Sequence, residues 1–303
     1  KENLWADGAA WMYGELMPLS QARLPVTDWG LTHSDITYDV VHAWDGKFFR
    51  LDDYLQRFEA SLQKCRLSVP ETSDDIRRIL HRIVARSGLR ESYVSMVVSR
   101  GQPRVNGSRD PRDCVNHFYA WCVPFVWVFT KEVIARGAKL YIDDDVQRIS
   151  SDSVNPTAKN YHWGDFTQAL LNAKEAEFDN TVLLDANGCV TEGPGFNLFI
   201  IKDNKVSTPA HGVLEGITRK VAIEICRASD LSVSVEDISL QQLFDADEVF
   251  ATTTGGGIVP VTKVNQRIYS NAAAGEITTR LQEEYWRWHN EAAMSESIDY
   301  DNT

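Results

Sequence analysis

The stretch Asn155-Pro-Thr-Ala-Lys-Asn-Tyr-His-Trp-Gly-Asp-Phe166 places the tightest limits on how this chain can fold. Pro156 has no amide proton for a sheet ladder and suits the first turn of a helix. After it, Trp163, Phe166, Leu170 and Leu171 recur at helical spacing, which predicts a helix whose apolar stripe faces a core. Lys159 then sits near the start of that helix, on or just above its packed side. Desolvation and the positive end of the helix dipole both disfavour an ammonium there. An uncharged amine is a nucleophile toward an aldehyde. The plainer reading is a solvated surface lysine, since lysine readily carries its head group to water. What separates the two readings is the company Lys159 keeps further along the chain.

Length and charge narrow the field. The 303 residues, 43% hydrophobic and 24% charged, match a soluble globular protein long enough for two domains and a core without disulfides or structural metal. A net charge of −12 argues against nucleic acid as a partner, so an anionic ligand needs a local site. Five cysteines, at 65, 114, 122, 189 and 226, form no CxxC pair and read as buried thiols of a reducing compartment. No apolar run reaches membrane-spanning length and no signal pattern opens the chain. A cytoplasmic location is expected, with no membrane partner and no metal.

Two hairpins are predicted early. Ala9–Tyr13 and Leu16–Leu19 flank Gly14-Glu15, and Tyr38–Trp44 and Lys47–Leu51 flank Asp45-Gly46. Leu55, Phe58, Leu62 and Cys65 mark an amphipathic helix. Thr72 or Ser73 opens a second, with Ile76, Leu80, Ile83 and Val84 on its face and Gly88 as its stop. Strands are expected over Tyr93–Ser99 and Asn116–Val123, joined by a long Gly/Pro/Arg loop from Arg100 to Arg112. A linker at 124–134 separates a first domain, 1–123, from a second, 135–303, with new strands beginning near Val133. The second domain is expected to hold strands at Thr181–Leu184, Phe196–Lys202, 231–236 and 247–252, and helices at 217–229 and 274–290. The final residues, with Glu296, Asp299 and Asp301, read as a frayed acidic tail.

Three further motifs accompany Lys159. In Gly212-Val-Leu-Glu-Gly-Ile-Thr-Arg-Lys220, Gly216 allows a tight turn, and the free amides of a helix starting at Ile217 or Thr218 form an anion site with the Thr218 hydroxyl. A simple capped helix start reads the same way. In Phe250-Ala-Thr-Thr-Thr-Gly-Gly-Gly-Ile258, hydroxyls and glycines leaving a strand can form a backbone nest for an anion, or merely a flexible exit. Two anion cradles in an acidic chain point to one phosphate gripped from several sides, with Arg57 as the candidate cation. In Thr191-Glu-Gly-Pro-Gly-Phe-Asn197, Glu192 lies between β segments, and Gly-Pro-Gly lets backbone come close to a ligand. A carboxylate held there could pair with a protonated ring nitrogen, where a solvated turn glutamate is the plain alternative.

Lysine nucleophile, phosphate cradle and ring-nitrogen carboxylate together are what pyridoxal 5′-phosphate (PLP) requires. With His33-Ser-Asp-Ile-Thr-Tyr-Asp-Val40, Phe49-Arg-Leu-Asp-Asp-Tyr-Leu-Gln-Arg57, Lys159-Asn-Tyr-His-Trp-Gly-Asp165, Gly216-Ile-Thr-Arg-Lys220 and Thr253-Thr-Gly-Gly-Gly257, the chain resembles a fold-type IV PLP-dependent aminotransferase from about Gly8 to about His289. The group holds branched-chain and D-amino-acid aminotransferases and (R)-selective amine transaminases. The resemblance implies a mixed α/β (α+β) fold, with a small N-terminal α/β domain, a larger C-terminal pseudobarrel domain, and the active site between them. It also implies a homodimer with its active site at the subunit interface. By the same resemblance Lys159 would carry PLP covalently and act as catalyst, and Glu192 would contact the ring nitrogen. Arg57, Ile217, Thr218, Thr253 and Thr254 would bind the cofactor through its phosphate, with Leu214 against the ring. His33, Tyr38, Val40, Arg104 and Trp163 would contact substrate. Val41-His42 and Trp44-Asp-Gly, with the Trp-Gly-Asp after the lysine, resemble the (R)-amine transaminases most. That implies transfer from an (R)-configured primary amine donor to a keto acid such as pyruvate. A D-amino-acid or branched-chain aminotransferase, an aminodeoxychorismate-type lyase, and a PLP-binding protein without turnover are the alternatives. The loop after Arg100-Gly101 offers Arg104 and Arg109 for an acceptor carboxylate, with Asn106 where simple counting places that arginine.

Overall fold

Tight turns set the register of the first sheet. Tyr13-Gly14 joins β1 (Ala9–Met12) to β2 (Glu15–Pro18), and Asp45-Gly46 joins β3 (Ile36–Trp44) to β4 (Lys47–Phe49). All four turn residues have positive φ, as two-residue hairpin loops require. Between the hairpins lies the short α1 (Trp29–Thr32), capped by Asp28. The amphipathic patterns form α2 (Leu51–Cys65) and α3 (Ser73–Ser87). Thr72 and Asp75 make a capping box at the start of α3, and Gly88 ends it at φ 75°. β5 (Ser92–Pro103) and β6 (Cys114–Pro124) complete a sheet in the order β4-β3-β5-β6-β1-β2. Both strands run into the segment expected as a long loop, with a register shift between Ser99 and Gln102.

The computed structural model describes Leu4–Asp301 and divides into two units. The first holds the residues up to Val126, the insert Ala158–Tyr161 and the residues from Glu291 onward; the second holds Trp127–Thr157 and His162–Asn290. The second unit opens with α4 (Lys131–Arg136), where strand was expected, because Thr130 caps a helix through the Val133 amide. β7 (Ala138–Tyr141) follows, then α5 (Gly164–Glu175). The expected helix near Lys159 therefore begins only after Trp163. Phe166, Ala169 and Ala173 form its buried stripe, whereas Leu171 is exposed, contrary to the sequence pattern.

β8 (Asn180–Thr181) and β9 (Glu192–Gly193) are short. β10 (Phe196–Lys202) and β11 (Lys205–Pro209) form a hairpin through Asp203-Asn204. Then come α6 (Ile217–Ala228), β12 (Val233–Glu236), α7 (Leu240–Asp245), β13 (Glu248–Thr253), β14 (Gly257–Val264), β15 (Arg267–Ile268) and α8 (Glu276–Trp288). The sheet order is β12-β11-β10-β13-β14-β7-β8, with β9 on β10 and β15 on β14. Phe129, Leu140, Val182, Leu198, Val249 and Val261 are among the buried residues of its core.

The chain ends in β16 (Ser295–Ser297), which pairs antiparallel with β4. Arg77 binds Glu296, and the Tyr300 hydroxyl donates to Leu89 O at 2.8 Å. The tail is thus a sheet edge rather than a frayed end, since its acidic residue meets an arginine that sequence distance hides. The two-sheet α/β architecture is the expected class. Among the described residues no helix is long and apolar enough to cross a membrane, and all five cysteines are free thiols.

Candidate active site

Lys159 owes its position to strand pairing. Its carbonyl accepts from the Tyr38 amide at 3.2 Å and from the Thr37 hydroxyl at 2.7 Å, and Asn160 bridges to Thr37. This pins the segment Ala158–Tyr161 to β3 within the first unit. The Lys159 Nζ lies 4.7 Å from the Tyr38 ring centre, and Tyr161 packs on Tyr38 with centroids 4.5 Å apart. Tyr38 and Val40 share one strand face, because side chains alternate along β3. Burial pushes the Tyr93 and Tyr161 phenols well above the usual tyrosine range, with the neighbouring Tyr38 adding to it. Both stay neutral O–H groups.

Arg57 reaches Asp39 with two parallel hydrogen bonds, Nε to Oδ2 at 2.8 Å and Nη2 to Oδ1 at 2.6 Å. Burial works against its charge, but Asp39 outweighs that and holds the guanidinium above the ordinary arginine range. Asp39 gave no signal in the sequence. His33 is exposed at the C-terminal end of α1, where its Nδ1 lies 2.7 Å from the Thr32 Oγ1 and its ring stacks on Trp29. Arg104 is also exposed. It lines a cavity of about 490 Å³ with Tyr13, Asp28, Gln102, Val115 and His117.

The second unit gathers a different set around Glu192. This carboxylate is 6% exposed. Its Oε2 accepts from the Leu214 amide at 2.9 Å and from Asn197 Nδ2 at 3.2 Å, and its Oε1 from Arg148 Nη2 at 3.2 Å. Arg148 in turn donates from Nη1 to Asp165 Oδ2 at 2.6 Å and lies 4.1 Å above the Phe166 ring. Asp165 is fixed at the start of α5 by the Ile149 and Phe166 amides, each at 2.8 Å. Asn197, Arg148 and Asp165 carry the geometry of Glu192. Sequence reasoning assigned none of them a role, and Arg148 lies in no recognisable motif.

α6 begins next to this group, since Asn197 Nδ2 also binds Leu214 O at 2.9 Å. No side chain caps α6, so its first-turn amides are left for another acceptor. The Thr218 hydroxyl is buried and has no hydrogen-bond partner among the described residues, and Ile217 beside it is buried. Gly216 has an ordinary φ of −59°, so a tight turn is not why glycine stands there. A Cβ at this position would overlap Asn197 Oδ1. The Thr253 hydroxyl donates to Gly195 O at 2.8 Å and accepts from the Gly255 amide, tying the glycine-rich exit of β13 to the Gly-Pro-Gly bend. Thr254 follows it on that exit. Trp163 packs on Phe166, and a Cβ at Gly195 would lie 3.9 Å from its ring.

Residues 37–264 match the family model for amino-transferase class IV. The chain is 30% identical over 278 residues to a putative branched-chain-amino-acid aminotransferase of Methanocaldococcus jannaschii, covering 91% of this chain and 94% of that protein. It is 28% identical to the D-alanine aminotransferase of Listeria monocytogenes, over 88% of this chain and 91% of that protein. A T.th. branched-chain amino acid aminotransferase, solved with N-(5′-phosphopyridoxyl)-L-glutamate, superposes with a TM-score of 0.88 at 25% identity, covering 97% of this chain and 99% of that one.

Proposed function

Because the chain belongs to the class IV aminotransferases, we propose that it moves an amino group from an (R)-configured primary amine to a keto acid such as pyruvate, using PLP. The described residues fit that cofactor. An unpartnered, buried Thr218 hydroxyl at the uncapped start of α6 suits a phosphate, and a carboxylate surrounded by three N–H donors suits a protonated ring nitrogen. When bound, PLP supplies the electron sink that makes the donor's Cα–H acidic.

Lys159 would hold the cofactor covalently between turnovers, and its freed amine would take the proton from the donor Cα and give it back, as general base and then acid. Its backbone carbonyl is anchored to Tyr38 and Thr37, which fixes the point from which the side chain swings. Glu192 would keep the ring nitrogen protonated. Ile217, Thr218, Thr254 and Arg57 would hold the phosphate, Thr253 braces the glycine-rich exit, and Leu214 would pack on the ring. His33, Tyr38, Val40 and Trp163 would contact the substrate.

The observation carrying the amine specificity is the neutrality of the Tyr38 face. Tyr93 and Tyr161 stay O–H, and two half-buried arginines of this unit are held by aspartates, Arg57 by Asp39 and Arg100 by Asp35. A donor carboxylate would compete with Asp39 and Asp35 for these arginines, whereas an aromatic amine would meet aromatic walls. A homodimer belongs to the same reading. Tyr13, Val26, Leu31, Val105 and Val115 are large apolar side chains left exposed in the first unit, as an association surface requires.

The second reading is a D-amino-acid or branched-chain aminotransferase, favoured by exposed Arg104, which could hold an α-carboxylate. Purified, PLP-loaded protein should convert (R)-1-phenylethylamine and pyruvate to acetophenone and leave the (S) form untouched. Turnover of D-alanine or L-leucine with neither phenylethylamine enantiomer consumed would replace the first reading by the second.

A further inference from the structure

Glu192 does not stand alone. An arginine bound directly to a carboxylate normally cancels its charge, and a cancelled carboxylate attracts a ring N–H⁺ weakly. Here the cation is itself balanced. Arg148 lies between two carboxylates, Glu192 Oε1 at 3.2 Å and Asp165 Oδ2 at 2.6 Å, and donates its shorter bond to Asp165. Its side chain is 7% exposed and those of Asp165 and Glu192 are 11% and 8%, so water screens the cluster little. These three side chains, two carboxylates and one guanidinium, sum to one negative charge. A second guanidinium, Arg219, also feels Glu192, but it is countered by Glu215 and donates to Thr208 Oγ1 and Pro209 O.

We propose that Asp165, acting through Arg148, preserves the negative charge of Glu192 and thereby keeps the proton on the ring nitrogen of the cofactor. Asp165 is a positioning residue, one step removed from the group it serves. The motif Trp163-Gly164-Asp165 thus has an electrostatic purpose besides starting α5: its carboxylate faces back to Arg148 while its backbone begins the helix. Arg148 cannot turn away, because its amide is tied to Leu184 O at 2.9 Å and its guanidinium is seated on Phe166. This inference rests on the reading of Glu192 as the ring-nitrogen partner.

The test compares affinities for PLP and for its carbocyclic analogue, in which a C–H replaces the ring nitrogen, by equilibrium dialysis against the apoprotein. The ratio of the two isolates the ring nitrogen, and general loss of fit moves both affinities together. Asp165→Asn keeps an acceptor for Arg148 and removes the charge. It should reduce the preference for PLP by ~10-fold, as a one-unit change in proton affinity would. Asp165→Ser, whose hydroxyl can still accept from the Phe166 amide, is the second neutral variant should the first not fold, and Asp165→Glu should restore most of the preference. The pH at which the bound cofactor's visible absorbance changes should fall in both neutral variants.

Glu192→Gln separates the two claims. If it lowers the ratio while the neutral Asp165 variants do not, the charge relay is wrong and the Glu192 reading stands. If Glu192→Gln leaves the ratio unchanged, both fall. An equal loss of affinity for the two cofactors in the Asp165 variants makes Asp165 a structural residue only and overturns the proposal.

Discussion

Replacing Gly216 by alanine should damage a residue it does not resemble, Asn197. The backbone at 216 is acceptable to alanine, with φ at −59°, so the cost is steric. The new Cβ would overlap Asn197 Oδ1, and the amide would have to leave its place. Asn197 Nδ2 then loses its bond to Leu214 O, at 2.9 Å, and its bond to the Glu192 carboxylate, at 3.2 Å. A neutral bond contributes about 1 kcal/mol net and one to a charged group about 1.5–3, so Gly216→Ala should cost roughly 2–4 kcal/mol. Asn197→Ala should cost about the same, because it removes the same two bonds. The double variant is the decisive measurement. With the amide already gone the Cβ has room, so the second change should add less than ~0.5 kcal/mol, and the coupling should nearly equal the cost of either single change. Urea unfolding followed by circular dichroism gives all three values. Additive costs would refute the steric argument and return Gly216 to a backbone role.

Two more outcomes follow from single residues. Burial at the C-terminal end of α8, outweighing a hydrogen bond to the Tyr285 carbonyl, pushes the His289 imidazole down to about 4. The unfolded imidazole takes its proton near 6.5, so the stabilisation is whole above that pH and drains away as the pH falls toward ~4. It amounts to about 3 kcal/mol at most. His289→Phe should flatten stability between pH 7.5 and 4.5 as read by urea midpoints, and an unchanged slope would count against a buried neutral imidazole. Lys159→Ala should abolish the covalent retention of PLP after borohydride reduction, seen by mass, and slow transamination by at least ~10²-fold. Retained turnover would remove Lys159 from the chemistry.

The hairpins, α2, α3 and α6 were legible because their signals are local: Asp45-Gly46, the Thr72 cap, Gly88, and apolar residues repeating at the helical period. Lys159 was picked out as unusual but given the wrong local structure. Pro156 and the apolar residues after it imitate a helix start, whereas the backbone at 159 is claimed by Tyr38 and Thr37, more than a hundred residues earlier (the Thr37 bond spans 122 positions). A pairing of that range leaves no periodic trace. Glu192 shows the same limit in its charge rather than its backbone. The Thr-Glu-Gly-Pro-Gly motif makes the glutamate visible, and Asn197, five residues on, could have been read from the strand. Arg148 stands 44 positions away, and Asp165 contacts Glu192 only through it. A motif can therefore single out a carboxylate, but how much charge it presents is decided by residues brought in from elsewhere. Replacing Asp165 leaves the Thr191–Asn197 motif intact, and should still alter what that motif can hold.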